Sequence, residues 1–156
     1  MAFIKCFGYA ARGVWYCVRH ERNFRIHLCI GAYVFGFAPY FSLSRAEWAA
    51  LLILTALVLC AEAVNTAVER AVDLVSRERR PLARAAKDAS AGAVLLCAAA
   101  AVAVGILFFA RADIWRHIGA DLLANPLKLV LLLLSLPLAL VFILCGGAKK
   151  RPGDAA

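Results

Sequence analysis

Long apolar segments separate the charged residues of this 156-residue chain, and they decide the class of fold. They lie at about 24–41, 45–75, 89–110 and 126–145, and 64% of the chain is hydrophobic. Helices are the structures that cross a bilayer in such segments, because a helix satisfies its own backbone hydrogen bonds where water is absent. We therefore expect an all-α, multi-pass membrane protein with three spanning helices and a fourth near the C-terminus.

The N-terminal residues 2–21 have the pattern of an amphipathic helix that lies on the membrane surface. Lys5, Arg12 and Arg19 recur every seven residues on one face, and apolar residues occupy the opposite face. Such a helix turns its basic face toward water and lipid phosphates. The net charge of +8 accordingly indicates membrane topology and anionic headgroups rather than nucleic acid.

Local signals set the limits of the spanning helices. Pro39 predicts an irregular end to the first span, and Ser44 with Glu47 forms a capping box that begins the helix 45–75. Pro81 suits the first turn of the third span, after a polar loop at 76–81. Pro137 is expected to interrupt the fourth apolar segment. We divide the chain into a domain at 1–111 and a C-terminal extension at 112–156.

The distribution of positive charge predicts the orientation. Residues 1–27, 70–87 and 149–151 hold five, six and three of the 18 Lys and Arg residues. The intervening loops expected at 38–48 and 111–125 hold one and two. The positive-inside rule therefore places the N-terminus, the 70–87 loop and the C-terminus in the cytoplasm. The six cysteines are scattered and are interpreted as small apolar side chains.

A polar stripe at the end of the second span is the main candidate for a functional site. Glu62, Asn65, Glu69 and Asp73 fall within about 80° of one another on a helix. Ionisable groups are costly in or near a bilayer, so an aligned set of them indicates function. Lys87-Asp88 opens the next span on the same predicted side of the membrane.

These residues suit phosphoryl transfer at a membrane. Glu69 and Glu21 could bind Mg²⁺, Asn65 and Lys87 could contact phosphates, and Glu62 is placed to meet a lipid hydroxyl. The sequence contains neither a P-loop nor a protein-kinase signature. From the residues alone, an ion path of a transporter and a set of interhelical hydrogen bonds remain open as alternatives.

Several separated motifs also occur in a familiar order. They are Gly8-Tyr9, Glu21-Arg22-Asn23-Phe24-Arg25-Ile26-His27, the residues from Glu62 to Asp73, and Ala86-Lys87-Asp88 with Ala91-Gly92-Ala93-Val94. Over residues 3–111, the chain resembles the prokaryotic diacylglycerol kinase family of small membrane lipid kinases. The stretch at 21–27 is most similar to the Gram-positive branch, whose members phosphorylate undecaprenol.

The resemblance implies a fold and a set of roles. It implies a surface helix, three spanning helices and a homotrimer whose active sites are shared between subunits at the cytoplasmic interface. By match, Glu62 resembles the general base, and Glu21 and Glu69 resemble carboxylates that bridge the metal. The residues that match nucleotide and phosphate contacts are Tyr9, Asn65, Lys87 and Asp88. Asp73 matches a family position as well.

The chain departs from the family pattern at three places. Arg79-Arg80 stands where many members have Tyr-His, and Ala2 stands where some have an arginine. The segment at 126–145 lies outside the basic pattern; it could return the C-terminus to the cytoplasm, pack around the trimer or form part of a polyprenol-binding surface. We expect an ATP- and Mg²⁺-dependent lipid kinase of the cytoplasmic membrane, with undecaprenol as the favoured acceptor. Diacylglycerol is the alternative acceptor, and a transporter or non-catalytic membrane protein is the alternative class.

Overall fold

The computed structural model describes residues 2–75 and 80–145, with side chains from Lys5 onward. Within these ranges every regular element is helical, which confirms the all-α expectation. The helices are α1 (Ala2–His20), α2 (Arg22–Phe37), α3 (Arg45–Val75), α4 (Pro81–Phe109), α5 (Ala112–Ala124) and α6 (Pro126–Cys145). A 3-10 turn at Ala38–Phe41 extends α2. Four of these segments are long and apolar enough to cross a membrane: α2 with its turn, α3, α4 and α6.

The local signals of the sequence act as expected at the ends of these helices. The backbone N–H of Ser44 donates to Glu47 Oε2 at 2.7 Å, and the N–H of Glu47 donates to Ser44 Oγ at 3.3 Å. This reciprocal pair satisfies donors that the start of α3 leaves unpaired. Pro81 lies in the first turn of α4. Before α3, Pro39 falls in the 3-10 turn, and Ser42 reverses the chain with a φ of 48°.

The spanning helices pack around α3. This helix lies along α4 and also contacts α2 and α1. Leu51 and Val58 of α3 and Phe24 of α2 are buried between them. At the end remote from α1, the ring of Phe41 meets Phe109 edge-on at a centroid distance of 4.7 Å. The polar residues of α3 therefore lie near α1, and an aromatic cluster closes the opposite end.

The fourth span, α6, runs antiparallel to α2 and beside it. Mid-span, the hydroxyls of Tyr33 and Ser135 are 3.0 Å apart. At one end Arg25 of α2 reaches the Ile143 carbonyl, and at the other Tyr40 and Lys128 both donate to Asp121 at 2.8 Å. These contacts return the carboxyl end of α6 to the side of the molecule where α1 lies. The segment thus packs on α2 of its own chain; its return of the C-terminus to the cytoplasm, packing around a trimer and a polyprenol-binding surface stay predictions.

Two expectations for the C-terminal part were wrong. Residues 111–125 were expected to form a loop, but 112–124 form α5, because apolar residues recur at helical spacing and bury Ile118. Pro137 does not interrupt α6, which continues through it. In an apolar environment, losing one backbone hydrogen bond costs less than exposing several groups by ending the helix.

Some expectations fall outside the described residues. They concern the polar loop at 76–79, Arg79 of the departing pair, the side chain of Ala2 and the basic tail at 149–151.

Candidate active site

Glu62 lies in the interior of the molecule and directly follows the apolar part of α3, which ends at Ala61. It is 3% exposed, and its Oε1 lies 3.4 Å from Nε2 of His27 on α2. Thr66, one turn later, donates its hydroxyl to the Glu62 carbonyl at 3.0 Å. A buried carboxylate is costly unless a polar partner meets it, and His27 supplies that partner. The prediction that Glu62 is the deepest ionisable residue of the stripe agrees with this burial.

Asn65 connects two other polar residues of the site. Its Nδ2 donates to Glu69 Oε1 at 3.2 Å, and its Oδ1 accepts from Ser90 Oγ of α4 at 2.7 Å. The amide therefore fixes the Glu69 carboxylate relative to α4. Ser90 was missed by the sequence reasoning. Its spacing of three residues from Lys87 is a helical signal that could have identified it, since residues three apart share a face.

The stripe ends in an ion pair between helices. Lys87 Nζ of α4 lies 2.5 Å from Oδ1 of Asp73. The structure thus brings Lys87 to the stripe. It does not bring Asp88 there: that carboxylate is 72% exposed and lies 3.6 Å from Arg84 on its own helix.

Glu21 stands at the junction of α1 and α2, and its side chain reaches α3. Its Oε1 accepts from Arg70 Nη2 at 3.2 Å, and the Arg70 guanidinium lies 5.5 Å from the ring centre of Tyr16. Glu21 and Glu69 both lie near enough to Glu62 to interact with its charge. Arg70 is the second residue that the sequence analysis missed, because it is one of six basic residues at 70–87 and nothing in the sequence distinguishes it from the others.

Glu21 and Glu69 carry oxygen atoms of the kind that a magnesium ion shared with substrate phosphates would need. Among the described residues, no group of three or more His, Cys, Asp or Glu side chains is arranged to hold a metal. Mg²⁺ is typically bound through one or two carboxylates together with phosphates and water. Glu21 and Glu69 supply hard oxygen ligands of that kind, and each is now held by a neutral or cationic partner.

The surface helix contributes less to this centre in a single chain. The ring of Tyr9 is 64% exposed and lies 4.6 Å below the Arg12 guanidinium. Within the described part of the chain, Tyr9 makes no hydrogen bond to the stripe.

Cys17 is buried near α3, and burial raises the pKa of its thiol, although a hydrogen bond with Thr66 opposes this shift.

An apolar cleft leads away from the buried pair into the span. It lies between α2, α3 and α4, has a volume of about 230 Å³, and has His27 at one end and Phe109 at the other. Small residues keep it open on the α4 side, among them Ala98, Ala101 and Gly105. On α2, Gly31 is required for close approach, since a Cβ there would meet Thr55 Cγ2 at 3.0 Å.

A buried acid, a nearby amide and lysine, and an apolar cleft occur together in this bundle of spanning helices, as expected of a membrane enzyme that acts on a lipid. The family model of prokaryotic diacylglycerol kinase matches residues 8–109, more than half of the chain. The chain therefore belongs to that family and is a lipid kinase, with ATP as its co-substrate. α5 and α6 lie beyond the matched residues.

The names of the similar proteins specify two lipid acceptors, undecaprenol and diacylglycerol. The chain is 40% identical over 107 residues to the undecaprenol kinase of Bacillus subtilis, and the aligned region covers 69% of this chain and 87% of the relative. It is 46% identical over 100 residues to a diacylglycerol kinase of Synechocystis, which covers 64% and 57%. A diacylglycerol kinase of Pseudomonas aeruginosa is 35% identical over 86 residues, covering 55% and 70%. No solved structure matches the chain.

Proposed function

We propose that the protein transfers the γ-phosphoryl group of ATP to the hydroxyl of undecaprenol, with Mg²⁺, at the cytoplasmic face of the membrane. The observation that carries this proposal is the buried Glu62, which lies beside His27 at one end of an apolar cleft. A lipid whose tail occupied that cleft would present its hydroxyl to the carboxylate. The 40% identity to a named undecaprenol kinase supports the choice of acceptor.

Glu62 acts as the general base in this mechanism. Its carboxylate takes the proton of the lipid hydroxyl while the hydroxyl oxygen attacks the γ-phosphorus, and ADP leaves with the electron pair of the broken P–O bond. His27, which lines the cleft, is placed to hold the carboxylate in position during this step. Burial of Glu62 excludes water, which would otherwise compete with the lipid as the acceptor.

The nucleotide is held on the side of the stripe nearest α1. Glu21 and Glu69 would bind Mg²⁺, which neutralises phosphate charge when it is bound. Lys87 is placed to exchange Asp73 for a phosphate oxygen, and Asn65 lies beside Glu69. Asp88 and Tyr9 remain proposed nucleotide contacts.

A homotrimer with shared sites would account for the two residues that stand apart. Tyr9 and Asp88 are exposed and are not joined to the stripe in a single chain. In a shared site, each would approach the centre of a neighbouring subunit. We also propose that both termini are cytoplasmic, since the carboxyl-terminal part of α6 lies on the α1 side and α1 carries Lys5, Arg12 and Arg19.

Diacylglycerol is the second candidate acceptor, supported by the names of several relatives. The identity of 40% to a named undecaprenol kinase, over 87% of that relative, favours undecaprenol. Membership of a kinase family decides against the transporter and the non-catalytic alternatives.

The test is phosphoryl transfer by the purified protein in mixed micelles, with undecaprenol and diacylglycerol supplied in separate reactions. We expect Mg²⁺-dependent transfer with undecaprenol preferred, and loss of transfer when Mg²⁺ is omitted. A Glu69→Gln variant that remains assembled should lose metal-dependent turnover. Preference for diacylglycerol would overturn undecaprenol as the proposed acceptor. Full turnover by Glu69→Gln would overturn the proposed role of Glu69 in binding Mg²⁺.

A further inference from the structure

Arg25 is the most completely buried charged residue among those described. It lies in the first turn of α2 and is 1% exposed. Its Nε and Nη2 donate to the carbonyl of Ile143 at 3.2 and 3.0 Å, and its Nη1 donates to the carbonyl of Val18 at 3.1 Å. Within the described residues, no carboxylate forms an ion pair with it. The guanidinium is therefore held entirely by backbone.

The two carbonyls belong to the carboxyl-terminal parts of two helices. Val18 is in the last turn of α1, which ends at His20, and Ile143 lies two residues before Cys145, the last residue of α6 that the structure describes. The last four carbonyls of a helix have no partner within it, and the helix dipole is negative there, so Arg25 caps α1. Its bonds to Ile143 join the same guanidinium to the carboxyl-terminal part of α6.

The hydrogen bond from Arg25 to Val18 connects α2 to α1 across the bend between them, which we call the elbow. Glu21 lies at this bend. Glu21 leaves the helical conformation, with φ of −106° and ψ of 113°, and separates α1 from α2. The angle between these helices therefore determines where its carboxylate points. In the arrangement that Arg25 holds, Glu21 reaches Arg70 on α3.

We propose that α6 serves as a latch for the active site, and that Arg25 is its positioning residue. The carboxyl end of α6 holds the guanidinium, the guanidinium fixes the elbow, and the elbow presents Glu21 to Mg²⁺-ATP. This inference rests on the proposed role of Glu21 in metal binding. It assigns a task to a helix that lies beyond residues 8–109, the segment that matches the family. A helix that served only as an additional anchor would have no need to hydrogen-bond a residue beside the elbow.

The experiment compares full-length Arg25→Met and Arg25→Lys with a matched control, Tyr33→Phe. The control removes the other α2–α6 hydrogen bond, to Ser135, at a distance from the elbow. Phosphoryl transfer is measured in micelles as a function of Mg²⁺ and of lipid. We expect Arg25→Met to raise the apparent KM for Mg²⁺ roughly tenfold, with the lipid KM within about twofold of the wild type. Arg25→Lys should be intermediate, and Tyr33→Phe should match the wild type.

A second measurement does not depend on activity. Cys17 is buried one residue before Val18, so opening of the elbow should expose its thiol. We expect Arg25→Lys to accelerate alkylation of Cys17 several-fold, and Tyr33→Phe to leave the rate unchanged. Unchanged alkylation and unchanged Mg²⁺ dependence in the Arg25 variants would overturn the latch.

The two proposals fail in different ways. If Glu21→Gln retained the Mg²⁺ dependence of the wild type, the metal role of Glu21 would be wrong. If Glu21→Gln were defective while both Arg25 variants behaved normally, the latch alone would be wrong. Failure of both Arg25 variants to assemble, with Tyr33→Phe assembled, would make Arg25 a structural residue and would also overturn the positioning role.

Discussion

His27 of α2 and Glu62 of α3 meet inside the bundle, with 3.4 Å between Nε2 and Oε1. The contact joins two helices at the point where the apolar cleft begins. It gives a buried carboxylate a polar neighbour without the fixed positive charge of an arginine or lysine. A proton acceptor held in this way stays oriented and remains able to take a proton.

Replacement of His27 by alanine should therefore reduce catalysis more than binding. Without its partner, the Glu62 carboxylate would rotate or hold water, so we expect kcat to fall roughly tenfold with little change in the KM for ATP. His27→Gln keeps a donor and should retain more activity than the alanine variant. Steady-state kinetics in micelles checks this, and equal activity of all three proteins would argue against a positioning role for His27.

Glu62→Gln should abolish most turnover while the protein remains folded. The amide keeps the shape of the side chain and cannot take the lipid proton, so we expect a loss of about 10²–10⁴-fold in kcat. Nucleotide binding should persist, because the stripe from Asn65 onward is unchanged. Measuring both turnover and ATP affinity separates the loss of a base from unfolding. A variant with near-normal kcat would place the base elsewhere.

Filling the apolar cleft should weaken the use of a lipid acceptor. Ala101 lines the cleft, whereas the neighbouring Ala100 is exposed on another face of α4. We expect Ala101→Leu to raise the KM for undecaprenol several-fold, and Ala100→Leu to have little effect, since it adds the same volume toward lipid. The apparent KM at fixed ATP is the measurement. Equal effects of the two substitutions would show that the tail does not lie in this cleft.

The buried Cys17 should react more slowly and at higher pH than Cys6 on the same helix. Burial raises the pKa of the Cys17 thiol, so at a given pH less of it is the reactive thiolate, whereas Cys6 is exposed. The test is the rate of iodoacetamide modification of each cysteine, followed by peptide mass spectrometry. The pH is varied from about 7 to about 10, roughly the range in which thiols ionise. A Cys17 rate that matched Cys6 throughout would contradict the packing of α1 on α3.

Much of the architecture follows from local sequence. The limits of the helices follow from three local features: apolar segments of spanning length, the capping box at Ser44 and Glu47, and the positions of Pro39 and Pro81. The helical period also fixed that Glu62, Asn65, Glu69 and Asp73 share a face. These features depend on residues within a few turns of one another, so the chain specifies them before any helix packs. The error at Pro137 arose because apolar surroundings raise the cost of ending a helix. The error at 112–124 arose because apolar residues at helical spacing within that segment were overlooked.

Contacts between helices were decided only by the tertiary structure. No spacing in the sequence pairs His27 with Glu62, Ser90 with Asn65, or Arg25 with the carbonyl of Ile143, 118 residues away. Such pairs depend on which faces of separate helices meet. That is set by the packing of small and large side chains over the whole bundle. The sequence by itself determined the helices, their membrane class and the polar stripe; the packing decided which partners hold that stripe and where the fourth span lies.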